Sequence, residues 1–283
     1  MNRKKIWGNT IVKNEDKFIW FAIISVIDYL DKILVWDTSS SDKTVEIIQL
    51  LKKKYPKKID FQQIGPVDKT GLTKARQEML KLTKSDWFMI VDGDEIWWQD
   101  SIKKTVKLIE EQNDLYALVH PVINVVGDIF HFQEEQAGQY QILGRKGHFN
   151  IRVINRKIPG LSIKGDYPNE GFYDKDQRLL QNIESKLKFI DAPILHMTHL
   201  SRSSNQADKT VLERTKKLKH EIGNRFRDDY KFPEVLYKGY PTIVESPWIT
   251  MSPGFKLRSY LETPLRKVNR RTIFLRKIKR RLT

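Results

Sequence analysis

The stretch Trp87-Phe88-Met89-Ile90-Val91-Asp92-Gly93-Asp94 joins five consecutive apolar residues to an acidic turn. An apolar run of this length predicts a strand that is buried on both faces, as in a parallel sheet. Open α/β sheets bind ligands at the carboxyl ends of their strands, and this strand would deliver two carboxylates to that end. Gly93 permits a tight turn and leaves room for a phosphate to approach the backbone. The stretch therefore predicts a ligand site at the edge of an α/β sheet.

The segments around this stretch alternate between short apolar runs and helical patterns, which is typical of βα units. We expect an α/β fold with a mixed, mostly parallel sheet that is flanked by helices. The predicted strands of the first half are 7–12, 33–36, 59–63, 87–91 and 116–119, and the predicted helices are 16–30, 44–54, 73–82 and 101–112.

The second half of the chain is less regular. We expect a long loop over 132–147, a short strand over 193–198 and a charged helix over 205–227. Five prolines between positions 233 and 264 predict that 233–263 wraps the domain as extended chain. We therefore expect a main domain, residues 1–240, and a C-terminal wrapping segment with a basic amphipathic tail, residues 241–283.

The composition excludes several classes of protein. A hydrophobic fraction of 40% in 283 residues is sufficient for a core, so disorder is not the main state. Without cysteine, the chain has no disulfide, no thiolate metal site and no cysteine nucleophile. The longest apolar run, 18–27, is about half the length of a membrane-spanning helix. We expect a cytoplasmic protein without a spanning helix.

The net charge of +16 indicates an anionic partner. Residues 264–283 contain nine Lys or Arg and no Asp or Glu. If this tail is helical, Val268, Leu275, Ile278 and Leu282 form an apolar stripe, with Leu265 nearby. Such a helix suits the inner, anionic face of the cell membrane. The alternatives are a solvated tail and an RNA-binding arm, although a single aromatic residue, Phe274, provides no stacking series.

The acidic turn also has two interpretations. Carboxylate oxygens suit Mg²⁺ or Mn²⁺, which keep ligand positions for water and substrate phosphate. The second interpretation is an ordinary turn at the end of a strand, because Asp and Gly are common in turns. Residues 92–97 lack the spaced ligands of a calcium-binding EF-hand loop. A second polar loop, Asp37 to Thr44, follows the predicted strand 33–36, and its Asp37 could accept a hydrogen bond from a nucleobase.

Taken together and in this order, several motifs resemble those of family 2 glycosyltransferases, which have the GT-A fold. Along the chain they are the Asn14-Glu15 turn, the loop Asp37-Thr38-Ser39-Ser40-Ser41-Asp42-Lys43-Thr44, the group of Gly71, Ala75 and Arg76, and the Asp92-Gly93-Asp94 turn. The resemblance covers roughly residues 6–200.

The resemblance implies a nucleotide-sugar site. Asp37 would bind the nucleobase, Asp92 would approach the ribose, and Asp94 would hold a divalent ion at the diphosphate with Asp92 beside it. Arg76 would lie near the diphosphate. Further nucleotide-sugar contacts are expected from Asn14, Glu15, Ser39, Gly93 and Arg202.

On the acceptor side, Tyr167-Pro168-Asn169-Glu170-Gly171 resembles the segment in which many relatives have a His-Glu pair, with Asn169 in place of the histidine. Glu170 is the first candidate for the catalytic base and Asp166 the second. By the same resemblance, His196 is expected to complete the metal site, and His199 is the alternative. Trp97 and Trp98 follow the acidic turn and would form an aromatic platform for an acceptor sugar.

We expect an inverting, metal-dependent glycosyltransferase that moves a sugar from a nucleotide-sugar, with UDP favoured over GDP by resemblance, to a saccharide or lipid-linked glycan. The enzyme would make one transfer per encounter, because the Gln-x-x-Arg-Trp motif of processive synthases is absent. The alternatives are a nucleotidyltransferase of related fold and a basic nucleic-acid-binding protein. Against the first, the chain lacks a glycine-rich loop for a triphosphate. Against the second, it lacks a recognisable nucleic-acid-binding motif.

Overall fold

The computed structural model describes residues 3–200 and 219–282, and for 269 and 271–282 it describes the backbone alone. The helices are α1 (Ile19–Val26), α2 (Thr44–Lys54), α3 (Lys69–Leu82), α4 (Gln99–Glu111) and α5 (Pro253–Leu282). The strands are β1 (Ile6–Val12), β2 (Lys32–Asp37), β3 (Ile59–Gln63), β4 (Trp87–Ile90), β5 (Glu95–Trp97), β6 (Ala117–Val126), β7 (Asp128–Phe132), β8 (Tyr140–Ile142), β9 (Arg145–Gly147), β10 (Phe149–Asn155), β11 (Ser162–Lys164), β12 (Gly171–Tyr173), β13 (Leu187–Phe189), β14 (Ile194–His199) and β15 (Asn224–Arg225).

The central sheet has the strand order β15-β7-β6-β10-β4-β1-β2-β3, and β5, β13 and β14 join it off this path. Strands β3, β2, β1 and β4 are parallel to one another. The next strand, β10, is antiparallel to both of its neighbours, β4 and β6. The carboxyl ends of β1, β2 and β4 therefore meet at one edge, and β10 enters the same region from the opposite direction.

Alternating side chains of β2 separate two layers of the core. Ile33 and Val35 pack in the large cluster that also contains apolar residues of α1, α2 and α4. Leu34 and Trp36 pack in a smaller cluster with Ala75 and Met79 of α3. Because successive strand residues point to opposite faces, α3 lies across the sheet from α1, α2 and α4. The sheet is thus covered on both faces, which explains the continuous apolar runs of its parallel strands.

The predicted α/β class and the elements of the first half are confirmed. The helix 44–54 and the strand 59–63 match α2 and β3 at both ends. Helix α1 is shorter than predicted, because its last turn becomes a 3-10 helix over Ile27–Tyr29. Helix α3 begins four residues earlier than predicted, where the Asp68 carboxylate accepts a hydrogen bond from the Gly71 amide at 2.6 Å.

Three predictions for the second half are wrong. Residues 132–147 contain the β8–β9 hairpin rather than a continuous loop. The predicted helix 205–227 lies partly outside the described residues, and its remainder, 219–227, is extended and includes β15. The predicted extended chain of 233–263 ends at Pro253, where α5 begins. Proline suits a first helical position because no hydrogen bond to its nitrogen is lost there.

Within residues 3–200 and 219–282, none of the helices is both long enough and apolar enough to cross a membrane. Pro264 lies inside α5.

The core predicts a clear stability contrast between two aliphatic positions. Ile23 of α1 is fully buried, whereas Leu257 of α5 is 67% exposed. We expect Ile23→Ala to lower the free energy of unfolding by about 2–5 kcal/mol, because it leaves a cavity. Leu257→Ala serves as the control and should change it by roughly 0.5 kcal/mol or less. Urea denaturation followed by circular dichroism measures both; equal losses would contradict the described packing.

Candidate functional site

The acidic turn follows β4 directly. The Val91 amide donates to the Asn9 carbonyl at 3.0 Å and extends the pairing of β4 with β1. The Glu95 amide then donates to the Asp92 carbonyl at 3.1 Å and closes the turn. A Cβ added to Gly93 would lie 3.1 Å from the Cγ of Glu15. Glycine therefore makes room for the Asn14-Glu15 turn, and the approach of a phosphate to its backbone stays a prediction.

Arg152 of β10 holds two carboxylates of this turn. Its Nη2 donates to the Asp92 Oδ2 at 2.8 Å, and its Nε donates to the Glu95 Oε2 at 2.6 Å. The register Val153↔Met89 between β10 and β4 brings the guanidinium to the end of the acidic strand. Glu95 is fully buried. A buried, ionised carboxylate needs a nearby cation or hydrogen-bond donors, and the guanidinium of Arg152 supplies both to Glu95.

The charges of this cluster shift the pKa values of its members. Burial raises the pKa of Asp92, but Arg152 and Arg76 outweigh burial and hold it below its ordinary value. Burial also raises the pKa of Glu95, and here it outweighs the charges of Arg152 and His196. Burial lowers the pKa of Arg152, yet Glu95 and Asp92 raise it above its ordinary value. Asp92 and Arg152 are thus held as an ion pair.

His196 of β14 faces the second carboxylate of the turn. Its Nε2 lies 3.1 Å from the Asp94 Oδ2, and its Nδ1 lies 3.1 Å from the Asn124 Oδ1. An amide oxygen only accepts, so the Nδ1 of His196 carries a proton and its Nε2 is directed at Asp94. Burial lowers the pKa of His196, but the charge of Asp94 and its hydrogen bond raise it above the ordinary value.

This pair fits a divalent ion as two of its ligands. Carboxylate oxygen and neutral imidazole nitrogen are suitable donors for Mn²⁺. Adjacent ligands of a six-coordinate ion lie roughly 3 Å apart, and Asp94 and His196 are 3.1 Å apart. Among the described residues, no three His, Asp or Glu side chains are arranged to hold an ion by themselves. The remaining ligands would come from substrate phosphate and water.

Asp92 does not take the predicted second metal-ligand position in this structure. Its Oδ2 accepts from Arg152 at 2.8 Å, and its Oδ1 lies 4.0 Å from the Arg76 Nη2. Both oxygens therefore face guanidinium groups. A shared role of Asp92 and Asp94 in holding the ion therefore stays a prediction.

The ends of β1 and β2 are joined by hydrogen bonds. The Asn14 Oδ1 accepts from the Ser41 amide at 2.8 Å. Asp37 is fully buried, and its carboxylate accepts from the Ser39 and Ser40 amides at 3.0 and 3.1 Å. Direct contact of Asp37 with a base is therefore not possible in this conformation, in which it instead shapes its own loop. Ser39 is exposed on that loop, with a φ of +68°.

Arg76 and Glu170 meet beside the acidic turn. The Arg76 Nε lies 3.4 Å from the Glu170 Oε1. Together with Arg152 they belong to the lining of a cavity of about 410 Å³. The apolar and aromatic lining includes Ile90, Phe149 and Phe172, and the uncharged polar lining includes Gln139, Gln141 and Gln181. Asp166 is exposed, and its Oδ1 accepts from the Thr70 hydroxyl at 2.9 Å.

The predicted aromatic platform is not formed as expected. Trp97 is 1% exposed, and its ring packs edge-on against His120 with centroids 4.9 Å apart. A buried ring offers no face to a sugar, so the acceptor role of Trp97 is wrong in this structure. The Nε1 of Trp98 donates to the Lys231 carbonyl at 2.9 Å, and its acceptor role stays a prediction. Arg202 lies outside the described residues. His199, the alternative to His196, is buried on β14.

The sequence alone did not predict the roles of Arg152, Glu95 and Asn124. Arg152 is the charged residue inside the otherwise apolar run Ile151–Ile154, and a charge in a buried strand indicates a paired partner. Asn124 gave no such signal, because its role depends on the pairing of β6 with β14, where His196 lies opposite Asn124.

The strand order and the acidic turn after the fourth parallel strand define a glycosyltransferase fold of the GT-A type. The chain belongs to glycosyl transferase family 2, whose model matches residues 10–163. No curated protein matches the chain in sequence.

Several solved structures are similar at low identity. Residues 1–349 of S. aureus TarS are 14% identical with a TM-score of 0.43, over 69% of this chain and 60% of that one. The mannosyltransferase PcManGT from Pyrobaculum calidifontis, in complex with GDP-Man and Mn²⁺, is 14% identical with a TM-score of 0.44, over 70% and 58%. Glucosyl-3-phosphoglycerate synthase from Mycobacterium tuberculosis, in complex with Mn²⁺ and UDP-glucose, is 13% identical with a TM-score of 0.42, over 73% of each. The present chain thus spans about 60% of the TarS fragment.

The pairing of Arg152 with Glu95 predicts non-additive stability effects. Arg152→Met should lower the free energy of unfolding by about 3–5 kcal/mol, because Glu95 then stays buried without its cation. Adding Glu95→Gln removes the uncompensated charge and should restore part of this loss. Arg225→Met breaks an exposed pair with Asp228 and should cost less than about 1 kcal/mol. Urea unfolding of all four variants, counting the single Glu95→Gln, measures the coupling; simple additivity would contradict the buried ion pair.

Proposed function

We propose that the protein is an inverting, metal-dependent glycosyltransferase that moves a sugar from a nucleotide-sugar, with UDP preferred, to a saccharide or lipid-linked glycan in cell-surface glycan synthesis. The proposal rests mainly on the Asp94–His196 pair, at 3.1 Å, beside the Asp92–Arg152 ion pair in a family 2 chain. A carboxylate and an imidazole at the strand ends could hold a divalent ion, and this ion would bind the diphosphate of a donor.

The donor side uses groups at the ends of β1, β2 and β4. Asp92, held ionised by Arg152, would accept hydrogen bonds from the ribose through the lone pairs that the guanidinium groups of Arg152 and Arg76 leave available. Arg76 offers a cation to the diphosphate. Asn14, Glu15, Ser39 and Gly93 shape the adjoining turns, and Asp37 would reach a base only if the Ser39–Ser40 loop released its carboxylate. A bound Mn²⁺ or Mg²⁺ would neutralise the charge that grows on the leaving diphosphate.

Glu170 is the proposed catalytic base. Its carboxylate lines the cavity that also borders Arg76 and Arg152, and it would take the proton from an acceptor hydroxyl bound there. The acceptor oxygen then bonds to the anomeric carbon as the bond from that carbon to the diphosphate oxygen breaks. The nucleoside diphosphate leaves with the bonding electrons, and attack from the opposite side inverts the configuration. Asp166 is less suited, because it is exposed and hydrogen-bonded to Thr70.

We also propose that the protein works at the inner face of the cell membrane. The support is the basic composition of residues 264–283, which contain nine Lys or Arg and no Asp or Glu and therefore suit anionic headgroups.

Donor binding is tested by thermal stabilisation with UDP, GDP and CMP, each with Mn²⁺, Mg²⁺ or EDTA. A ligand that binds only the native state stabilises it, by about 2.7 kcal/mol at a hundredfold excess over Kd. This stabilisation raises the melting temperature. We expect a shift with UDP that requires the metal and disappears in Asp94→Asn. Asp114→Asn, at an exposed position outside the site, should retain the shift. A shift that survives EDTA or Asp94→Asn would contradict the proposed ligand.

The two candidate bases are separated by steady-state kinetics with a UDP-sugar that the parent protein turns over. Glu170→Gln should lower kcat by about 10²–10⁴, the usual contribution of a positioned base, while the metal-dependent nucleotide shift persists. Asp166→Asn is the matched carboxylate-to-amide change and should leave kcat within a few-fold of the parent. The reverse result would move the role to Asp166.

A further inference from the structure

Helix α5 is fastened to the main domain along one side. Ser259 is fully buried, and the Thr263 Oγ1 accepts from the Ile222 amide at 3.0 Å. The Arg266 Nε donates to the His220 carbonyl at 3.2 Å. Arg270 donates to both oxygens of Glu221, which is 1% exposed. These contacts fix the helix in one rotation about its axis.

The opposite side of α5 is apolar and exposed. Leu257, Leu261 and Leu265 are 67%, 71% and 67% exposed, and Tyr260 is 58% exposed. At 3.6 residues per turn these four side chains lie within an arc of about 140°, and the buried Ser259 lies across the helix from them. We call these four residues the exposed stripe. Scattered exposed leucines are ordinary, but a continuous stripe on one helix marks an interaction surface.

Basic residues border the exposed stripe. Lys256 and Lys267 lie along one edge and Arg258 along the other, and all three are exposed. Arg258 and Arg266 both pair with Glu262, at 2.6 and 2.8 Å, so this second edge keeps one net positive charge. Over 253–283 the sequence has eleven Lys or Arg and one acidic residue, Glu262. The apolar period also continues in the sequence through Leu275, Ile278 and Leu282. An apolar stripe between two basic edges is complementary to a surface of anionic headgroups over acyl chains.

We propose that the exposed stripe of α5 is the docking face for an anionic lipid bilayer. Leu257, Leu261 and Leu265 enter the boundary between headgroups and acyl chains, and the basic edges contact the headgroups. Because the helix is fastened through Ser259, Thr263 and Arg270, the main domain is held in one orientation on the membrane. The role of this docking in glycan synthesis rests on the proposed function. Binding of the exposed stripe to a bilayer requires neither donor nor acceptor.

The charges argue against two other occupants. A second copy of α5 would bring the same basic edges together, which like-charge repulsion opposes. Nucleic acid would pair with the basic edges but would leave the leucines in water, since base stacking uses aromatic side chains and the exposed stripe has one, Tyr260.

The test compares two matched double variants of the full chain, Leu261→Ser/Leu265→Ser and Leu50→Ser/Leu82→Ser. Leu50 and Leu82 are 38% and 47% exposed on α2 and α3, so the second pair makes the same chemical change elsewhere. Point changes are preferred to deletion of 264–283, because deletion also removes Arg270 and leaves the buried Glu221 without its cation. Circular dichroism and thermal melting establish that both variants are folded.

Co-sedimentation is measured with vesicles of phosphatidylcholine alone and of phosphatidylcholine mixed with phosphatidylglycerol. We expect the parent to bind the mixed vesicles more tightly, and the stripe variant to bind on the order of a hundredfold more weakly, from the loss of two buried leucine side chains. The Leu50/Leu82 control should bind as the parent does. Equal binding by the stripe variant overturns the proposal, as does a parent dimer that the stripe variant dissociates without change in vesicle binding. The metal-dependent nucleotide shift of the stripe variant, measured in parallel, tests the donor site separately.

Discussion

The guanidinium of Arg152 lies between two carboxylates that belong to the same short turn, at 2.8 Å from Asp92 and 2.6 Å from Glu95. Glu95 begins β5 and is fully buried, so water cannot solvate its carboxylate and Arg152 must balance the charge. The cation comes from β10, which runs antiparallel to the acidic strand β4. The geometry of the site therefore depends on this one ion-pair cluster, and it couples the parallel half of the sheet to the antiparallel half.

Hydrogen bonds continue from the acidic turn toward the C-terminal helix. His196 faces Asp94 on one side and Asn124 on the other, and the Asn124 Nδ2 lies 2.9 Å from the His148 Nδ1. The His148 Nε2 then donates to the Glu134 carbonyl at 3.2 Å, and the Glu134 carboxylate accepts from Arg270 at 3.0 Å. The groups that orient His196 thus belong to the same polar path that fastens α5, so the proposed docking helix and the proposed metal ligand share one framework.

The first half of the fold was predictable because its strands are buried on both faces and its helices show a regular apolar period, as in α2. The acidic turn and His196 were predictable from order and residue type. The pairing of Arg152 with Glu95 was not predictable, because it requires β10 to lie beside β4. That strand pairing joins residues far apart in the sequence. The burial of Trp97 and of Asp37 escaped prediction for a related reason: both residues are polar or amphipathic, and only the packing around them decides whether they face solvent. The prolines of 233–263 suggested extended chain, yet Pro253 starts a helix.

In the proposed donor complex, Asp94 and His196 share a divalent ion with the diphosphate. Pulsed electron paramagnetic resonance of the Mn²⁺ complex with UDP tests it directly. We expect coupling of the manganese spin to phosphorus and to a histidine nitrogen, with the nitrogen coupling lost in His196→Gln. A bound Mn²⁺ that shows phosphorus coupling without a histidine nitrogen, or a nitrogen coupling that persists in His196→Gln, would contradict it.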